Sequence, residues 1–143
     1  MKKTLLFVMV SATALLLIIS GCSKKNDSQA STMKNVAGTY KLTASTGAFG
    51  GVTLNIYDSI PACHRDDNYM LNADSTYQII DAGTQCNPPD NSQGTWFISG
   101  NYFIRNGTDS STIKSFSGSQ LVISYTDNSF GFPLVTTETF TKL

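Results

Sequence analysis

"GTWFISGNYFIRNGTDSSTIKSFSGSQLVISYT", Gly94 to Thr126, is the stretch whose reading decides the fold. Its four runs, GTWFIS, YFIRN, STIKSF and QLVISYT, are rich in aromatic and β-branched residues. They are separated only by Gly100-Asn101, Gly107-Thr108-Asp109 and Gly118-Ser119. Runs this short are strands rather than helices, and connections this short join strands that lie side by side and run antiparallel. The stretch therefore predicts an up-and-down meander.

Upstream, the same grammar continues. VAGTYKLTA (36–44) places Val36, Gly38, Tyr40 and Leu42 on one face and is followed by a glycine-rich loop at Gly47, Gly50 and Gly51. VTLNIYDSI (52–60) reads as a strand that Pro61 ends, because proline offers the ladder no donor. NYMLN and TYQIID flank Ala73-Asp74, a short connection suited to a hairpin. Asn87 to Gln93 is a proline-led loop, and LVTTETFTKL (134–143) reads as the last strand. About nine strands result, with no helix to cover them. A meander of this size must close into a barrel or fold over into two layers, since otherwise a face and two edges stay exposed. Closure is the first expectation and a β-sandwich the second.

The N-terminus is of another kind. Met1, Lys2 and Lys3 give a basic start, Leu5 to Ile19 is an apolar run of fifteen residues, and Ser20 and Gly21 are small. That is the grammar of a signal peptide, and the run is short for a bilayer-spanning helix, which needs about twenty residues; a retained transmembrane anchor is the alternative. Ile19-Ser20-Gly21-Cys22 resembles the lipobox of bacterial lipoproteins. The resemblance implies cleavage after residue 21 and acylation of Cys22, and two or more acyl chains are what stable anchoring takes. Residues 22–35 then form a polar, flexible tether, and 36–143 the folded domain. By the sorting habit of enterobacterial lipoproteins, Ser23 would not hold the protein at the inner membrane, so the expected place is the cell envelope, at the outer membrane.

With Cys22 assigned to lipid, an exported domain keeps two thiols, Cys63 and Cys86, in a compartment where disulfides persist; they are expected to pair. The metal alternative is weaker. Cys63 and His64 are neighbours, so in an extended chain their side chains point to opposite faces. Asp66, Asp67 and Asn68 lack the spacing of a calcium loop. His64 has no nucleophile signature beside it, and no catalytic group, metal or cofactor is assigned. His64 and the aspartates read as a solvated rim.

Ten basic residues balance ten acidic ones, and removal of Lys2 and Lys3 with the leader tips the remainder acidic. Only Arg65 and Arg105 could make guanidinium contacts, so no nucleic-acid partner is expected.

Taken in order, GTYKL (38–42), CHRDDNYMLNADSTY (63–77), CNPPDNSQGTWFIS (86–99) and IKSFSGSQLVISY (113–125) resemble the small lipocalin-like lipoproteins of Bacteroidetes. The resemblance implies a lipocalin-like antiparallel barrel on a membrane, matches Cys63 and Cys86 to a paired set, and makes Trp96 a core tryptophan. Two departures stand out. Tyr40 takes a position where tryptophan is common, and Asp74-Ser75 replaces Asp-Gly, which leaves the turn type open.

An eight-stranded barrel is filled by its own side chains or holds one small ligand. Alternation turns Tyr40, Leu42, Tyr69, Leu71, Tyr77, Ile79, Trp96, Ile98, Leu121, Ile123 and Tyr125 inward. Of these, Tyr40, Tyr69, Tyr77, Trp96 and Tyr125 are the candidate pocket lining, and a mostly filled interior with a shallow pocket is expected. Two functions compete. The first is a non-catalytic binding module for a small apolar or amphipathic ligand. The second is an interaction subunit that touches an envelope protein or glycan through Ala48 to Gly51, Asn87 to Gln93 or the loop holding Phe130 and Phe132.

Overall fold

The computed structural model describes residues 32–143; the expected signal peptide, Cys22 and most of the tether lie outside the described residues. Nine strands follow one another: β1 Gly38–Phe49, β2 Val52–Asn55, β3 Asn68–Leu71, β4 Thr76–Ile80, β5 Ser92–Ser99, β6 Tyr102–Arg105, β7 Asp109–Phe116, β8 Gln120–Asp127 and β9 Leu134–Lys142. Each of β3 to β9 pairs antiparallel with its neighbour in sequence, β1 pairs with β3, and β9 returns to β1 from Tyr40↔Lys142 to Ala48↔Val135. Eight strands thus close into a barrel, as expected, and the sandwich is not formed. β2 is the ninth, folded back on the far half of β1 by a Gly50-Gly51 turn whose φ of +57° and +82° only glycine adopts readily.

Several boundaries depart from the sequence reading. β1 runs through Gly47 to Phe49 instead of ending in a loop. Gly47 lies against Leu134 and Ile56, so there the missing side chain serves close approach, not a turn. The second strand stops at Asn55, well short of Pro61. The Asn55 side-chain oxygen accepts the Tyr57 N–H at 2.9 Å, which bends the chain into a 3₁₀ turn over Tyr57–Ser59. A one-turn helix, α2 (Ala62–Arg65), follows directly after Pro61. Another single turn, α1 (Met33–Val36), takes up the end of the expected tether: Val36 is fully buried and Met33 packs on the core.

The two ends of the barrel differ. α1, the β3–β4, β5–β6 and β7–β8 turns and the chain's last residues gather at one end. There Trp96 and Val36 are 0% exposed and Tyr40 is 1% exposed, so this end is closed. Tyr40 donates its hydroxyl to the Val36 carbonyl, and the Trp96 ring stacks on Phe103 at 5.6 Å. The β3–β4 connection is Asn72–Ala73–Asp74–Ser75, two residues longer than expected, with Ser75 held at φ +75°. At the other end lie the Gly50-Gly51 turn, α2, the 81–91 loop and the 128–133 loop.

Candidate ligand-binding cavity

Strand alternation carries one side chain in two into the barrel, and near the closed end those side chains are apolar. Leu71, Phe103, Leu121 and Phe140, all buried, form a floor above Trp96. Higher up, the same alternation brings polar groups inward. Arg105 follows Phe103 on β6, and Glu138 precedes Phe140 on β9. Tyr69 and Tyr125 stand on β3 and β8, while Ser111, 7% exposed on β7, lies opposite Phe103 at the level of the floor. Together they enclose a cavity of about 180 Å³, with Tyr40, Tyr77, Gln78, Ile79 and Ile123 completing its wall.

Of the five predicted lining residues, Tyr40, Tyr69, Tyr77 and Tyr125 face this cavity. Trp96 does not: its indole Nε1 is spent on the Asn72 carbonyl at 3.0 Å, and the ring lies in the packed base. Arg105 and Glu138 were missed because charged residues on short strands read as outward-facing. The period-2 phase was the available signal, since Phe103 and Arg105 share a face, as do Glu138 and Phe140.

The electrostatics of the polar half follow from its burial. Tyr69 and Tyr125 have phenol pKa values pushed up to about 12, chiefly because burial disfavours the phenolate and secondly because the Glu138 carboxylate is near. Glu138 itself is raised by burial, against the hydroxyl of Tyr125, 3.2 Å away, and the nearby Arg105 charge. Tyr40, deeper, is also raised to about 12 by burial. The ion pairs of the described residues join His64 to Asp67 and Asp90 and Arg65 to Asp58; Arg105 is in none of them.

A second hollow, bordered by Leu42, Ile60, His64, Asp67 and Asp90, shares Tyr69, Ile79 and Glu138 with the cavity and marks its mouth. The Cys63–Cys86 disulfide stands beside it and ties α2 to the 81–91 loop. Asp81 organises that loop by accepting the N–H groups of Cys86, at 3.0 Å, and Asp90, at 3.2 Å. The aspartates here are not the solvated rim expected: Asp67 is 2% exposed, and burial raises its pKa. Nor do Cys63 and His64 point apart. They sit in the turn of α2, so His64 Nδ1 comes 3.3 Å from Cys86 Sγ and the ligand atoms of Cys63, His64 and Cys86 lie within 4.8 Å of one another. Both sulfurs are bonded to each other, however, and a metal site needs free thiolates.

A family model described as a lipocalin-like domain matches residues 36–123, from the buried Val36 through most of the barrel to Ile123 on β8. No curated protein and no solved structure gives a significant match to the chain. The family match covers more than half of the chain and falls on a closed antiparallel barrel of the corresponding architecture; the chain belongs to the lipocalin-like domain family.

Proposed function

We propose that this chain is a non-catalytic binding module that holds a small amphipathic molecule inside the barrel, displayed on a membrane by lipid at Cys22. The observation that carries the reading is the cavity of about 180 Å³, with an apolar floor and a polar upper wall. A guest with an apolar body and a polar head matches that axial order. The size suits a small guest, since a dry cavity of ~150 Å³ takes up benzene. His64 is engaged with Cys86, Asp67 and Asp90, which favours a structural role over a catalytic one. Native mass spectrometry of protein purified from its source is expected to find a co-purified small molecule. Repeated empty preparations would overturn the reading.

The anchoring half of the proposal rests on the basic start, the apolar run and the Ile19-Ser20-Gly21-Cys22 ending. It places the protein in the cell envelope, at the outer membrane. Intact mass is expected to exceed that of residues 22–143 by a diacylglycerol and an acyl chain, and Cys22→Ala should lose both; an unmodified cysteine would refute it.

A second reading, an interaction subunit of an envelope assembly, is favoured by one specific surface. Phe49, Phe130 and Phe132 are 50%, 59% and 39% exposed, with Phe49 and Phe132 centroids 4.3 Å apart. Crosslinking in cells through a photoreactive residue at position 130 should capture one envelope protein reproducibly if this reading holds. Absence of a specific adduct argues for the binding module alone.

A further inference from the structure

Arg105 and Glu138 bring opposite charges into one cavity without pairing with each other: no carboxylate of the described residues lies within 4.0 Å of the Arg105 guanidinium. A guanidinium stays charged at any ordinary pH, and a partly buried charge without a partner is costly. Glu138 accepts one hydrogen bond, from Tyr125, which leaves most of its acceptor capacity unused. A guest with a carboxylate alone would satisfy Arg105 but bring its charge towards Glu138, and a guest with an ammonium alone would meet the converse repulsion. One that carries both signs satisfies both.

We infer that the cavity selects a small zwitterion, its carboxylate received by Arg105 and its ammonium by Glu138, with an apolar body about the size of a benzene ring on the floor. The inference rests on the binding-module reading and names the class of guest. The rings of Tyr69 and Tyr125, which line the same cavity, suit an ammonium. The chemistry is that of an α-amino acid with an aromatic or branched side chain.

The test titrates the purified full chain with four probes that share one body: L-phenylalanine, 3-phenylpropanoate, 2-phenylethylammonium and neutral 2-phenylethanol. Binding is read by calorimetry and by shifts of the Trp96 indole resonance. L-phenylalanine is expected to bind about tenfold or more tightly than any other probe, the worth of one hydrogen bond to a charged group. Arg105→Gln should bring it down to the level of the amine, and Glu138→Gln down to that of the acid. Far-UV circular dichroism and unchanged cooperativity of urea unfolding should show that both variants fold. If the alcohol or a singly charged probe binds as tightly as L-phenylalanine, or if Arg105→Gln leaves the ranking unchanged, the zwitterion inference is overturned while the binding module stands. If no probe, neutral or charged, binds or shifts the indole, the cavity reading falls with it.

Discussion

The indole Nε1 of Trp96 lies 3.0 Å from the carbonyl oxygen of Asn72, so the largest buried side chain is fastened to the turn between β3 and β4. The backbone repeats the link, with the Trp96 N–H donating to the Ser75 carbonyl at 2.8 Å. Trp96→Phe keeps an aromatic ring but deletes the donor, leaves the Asn72 carbonyl with the Ser75 N–H alone and opens a void beside Phe103. The expected loss is about 2–3 kcal/mol. Urea unfolding followed by far-UV circular dichroism measures it, and a loss under about 0.5 kcal/mol would show that Trp96 is not the anchor of the base.

Ser75 stands in that same turn at φ +75°, where a side chain is strained and glycine is not. Its conformation is set by neighbours: the Ser75 N–H donates to the Asn72 carbonyl at 3.2 Å, and the Asp74 carboxylate accepts the Thr76 N–H at 3.0 Å. Ser75→Gly should therefore stabilise the protein by about 0.5–1 kcal/mol, after the extra entropy of glycine in the unfolded chain is deducted. Thermal melting should register a rise of a few degrees. An unchanged or lower midpoint would contradict the strain.

Two glycines with different roles give a paired prediction. A methyl group on Gly94 would stand 2.8 Å from Tyr77 Cε1 and press on the Asn106 side chain, which donates to the Tyr77 hydroxyl at 3.1 Å. One on Gly50 would meet nothing within 4 Å, although φ there is +57°. Gly94→Ala is expected to cost about 2–3 kcal/mol through overpacking, and Gly50→Ala about 1 kcal/mol through backbone strain alone. Denaturant midpoints of the two variants decide it. Equal losses would mean that the approach of β5 to Tyr77 is loose.

The disulfide joins residues 23 apart in sequence and holds α2 against the 81–91 loop. Closing a loop of that length should stabilise the fold by about 3 kcal/mol on the chain-entropy account. Replacing Cys63 and Cys86 by serine should remove that amount. Hydrogen exchange should then quicken in residues 62–67 and 81–91 and leave β5 to β8 unchanged, because their ladder does not depend on the bridge. Quickening spread evenly over the barrel would refute a local role.

The meander from β5 to β8 was legible because each strand there is bounded by short glycine turns and alternates cleanly, as Phe103 and Leu121 do against their neighbours. What was not legible has physical causes. Gly47 looked like a breaker and is a point of close packing, and Ile56 to Ile60 had the composition of a strand until the Asn55 side chain bent the chain. Val36 gave no sign that it would close the base, since α1 is a single turn that tertiary packing holds in place. The cavity was half read: its tyrosines followed from alternation, whereas Arg105 and Glu138 broke the rule that charges face water. Such exceptions gather where a protein binds something.

Glu138 yields the last prediction. Burial raises its pKa above that of the unfolded chain, so the folded state holds the proton more tightly than the unfolded state does. The contribution to stability is therefore fully present below the unfolded value and is lost as pH rises through the folded one. Asp67, also raised by burial, acts in the same direction, while Asp74 and Asp127, lowered by hydrogen bonds from Thr76 and Ser129 respectively, act in the opposite one. The isolating measurement is a comparison of wild type with Glu138→Gln, in which the other three groups cancel. Glutamine should lose nothing as pH climbs from the ordinary glutamate pKa through the raised folded one, so the stability difference between variant and wild type should move in favour of the variant across that window. Arg105 draws the Glu138 pKa down, so in the Arg105→Gln background the window should shift to higher pH. A difference that stays flat with pH would mean that Glu138 is solvated as freely in the barrel as in the unfolded chain, and the cavity's polar half would then be wider and wetter than its geometry implies.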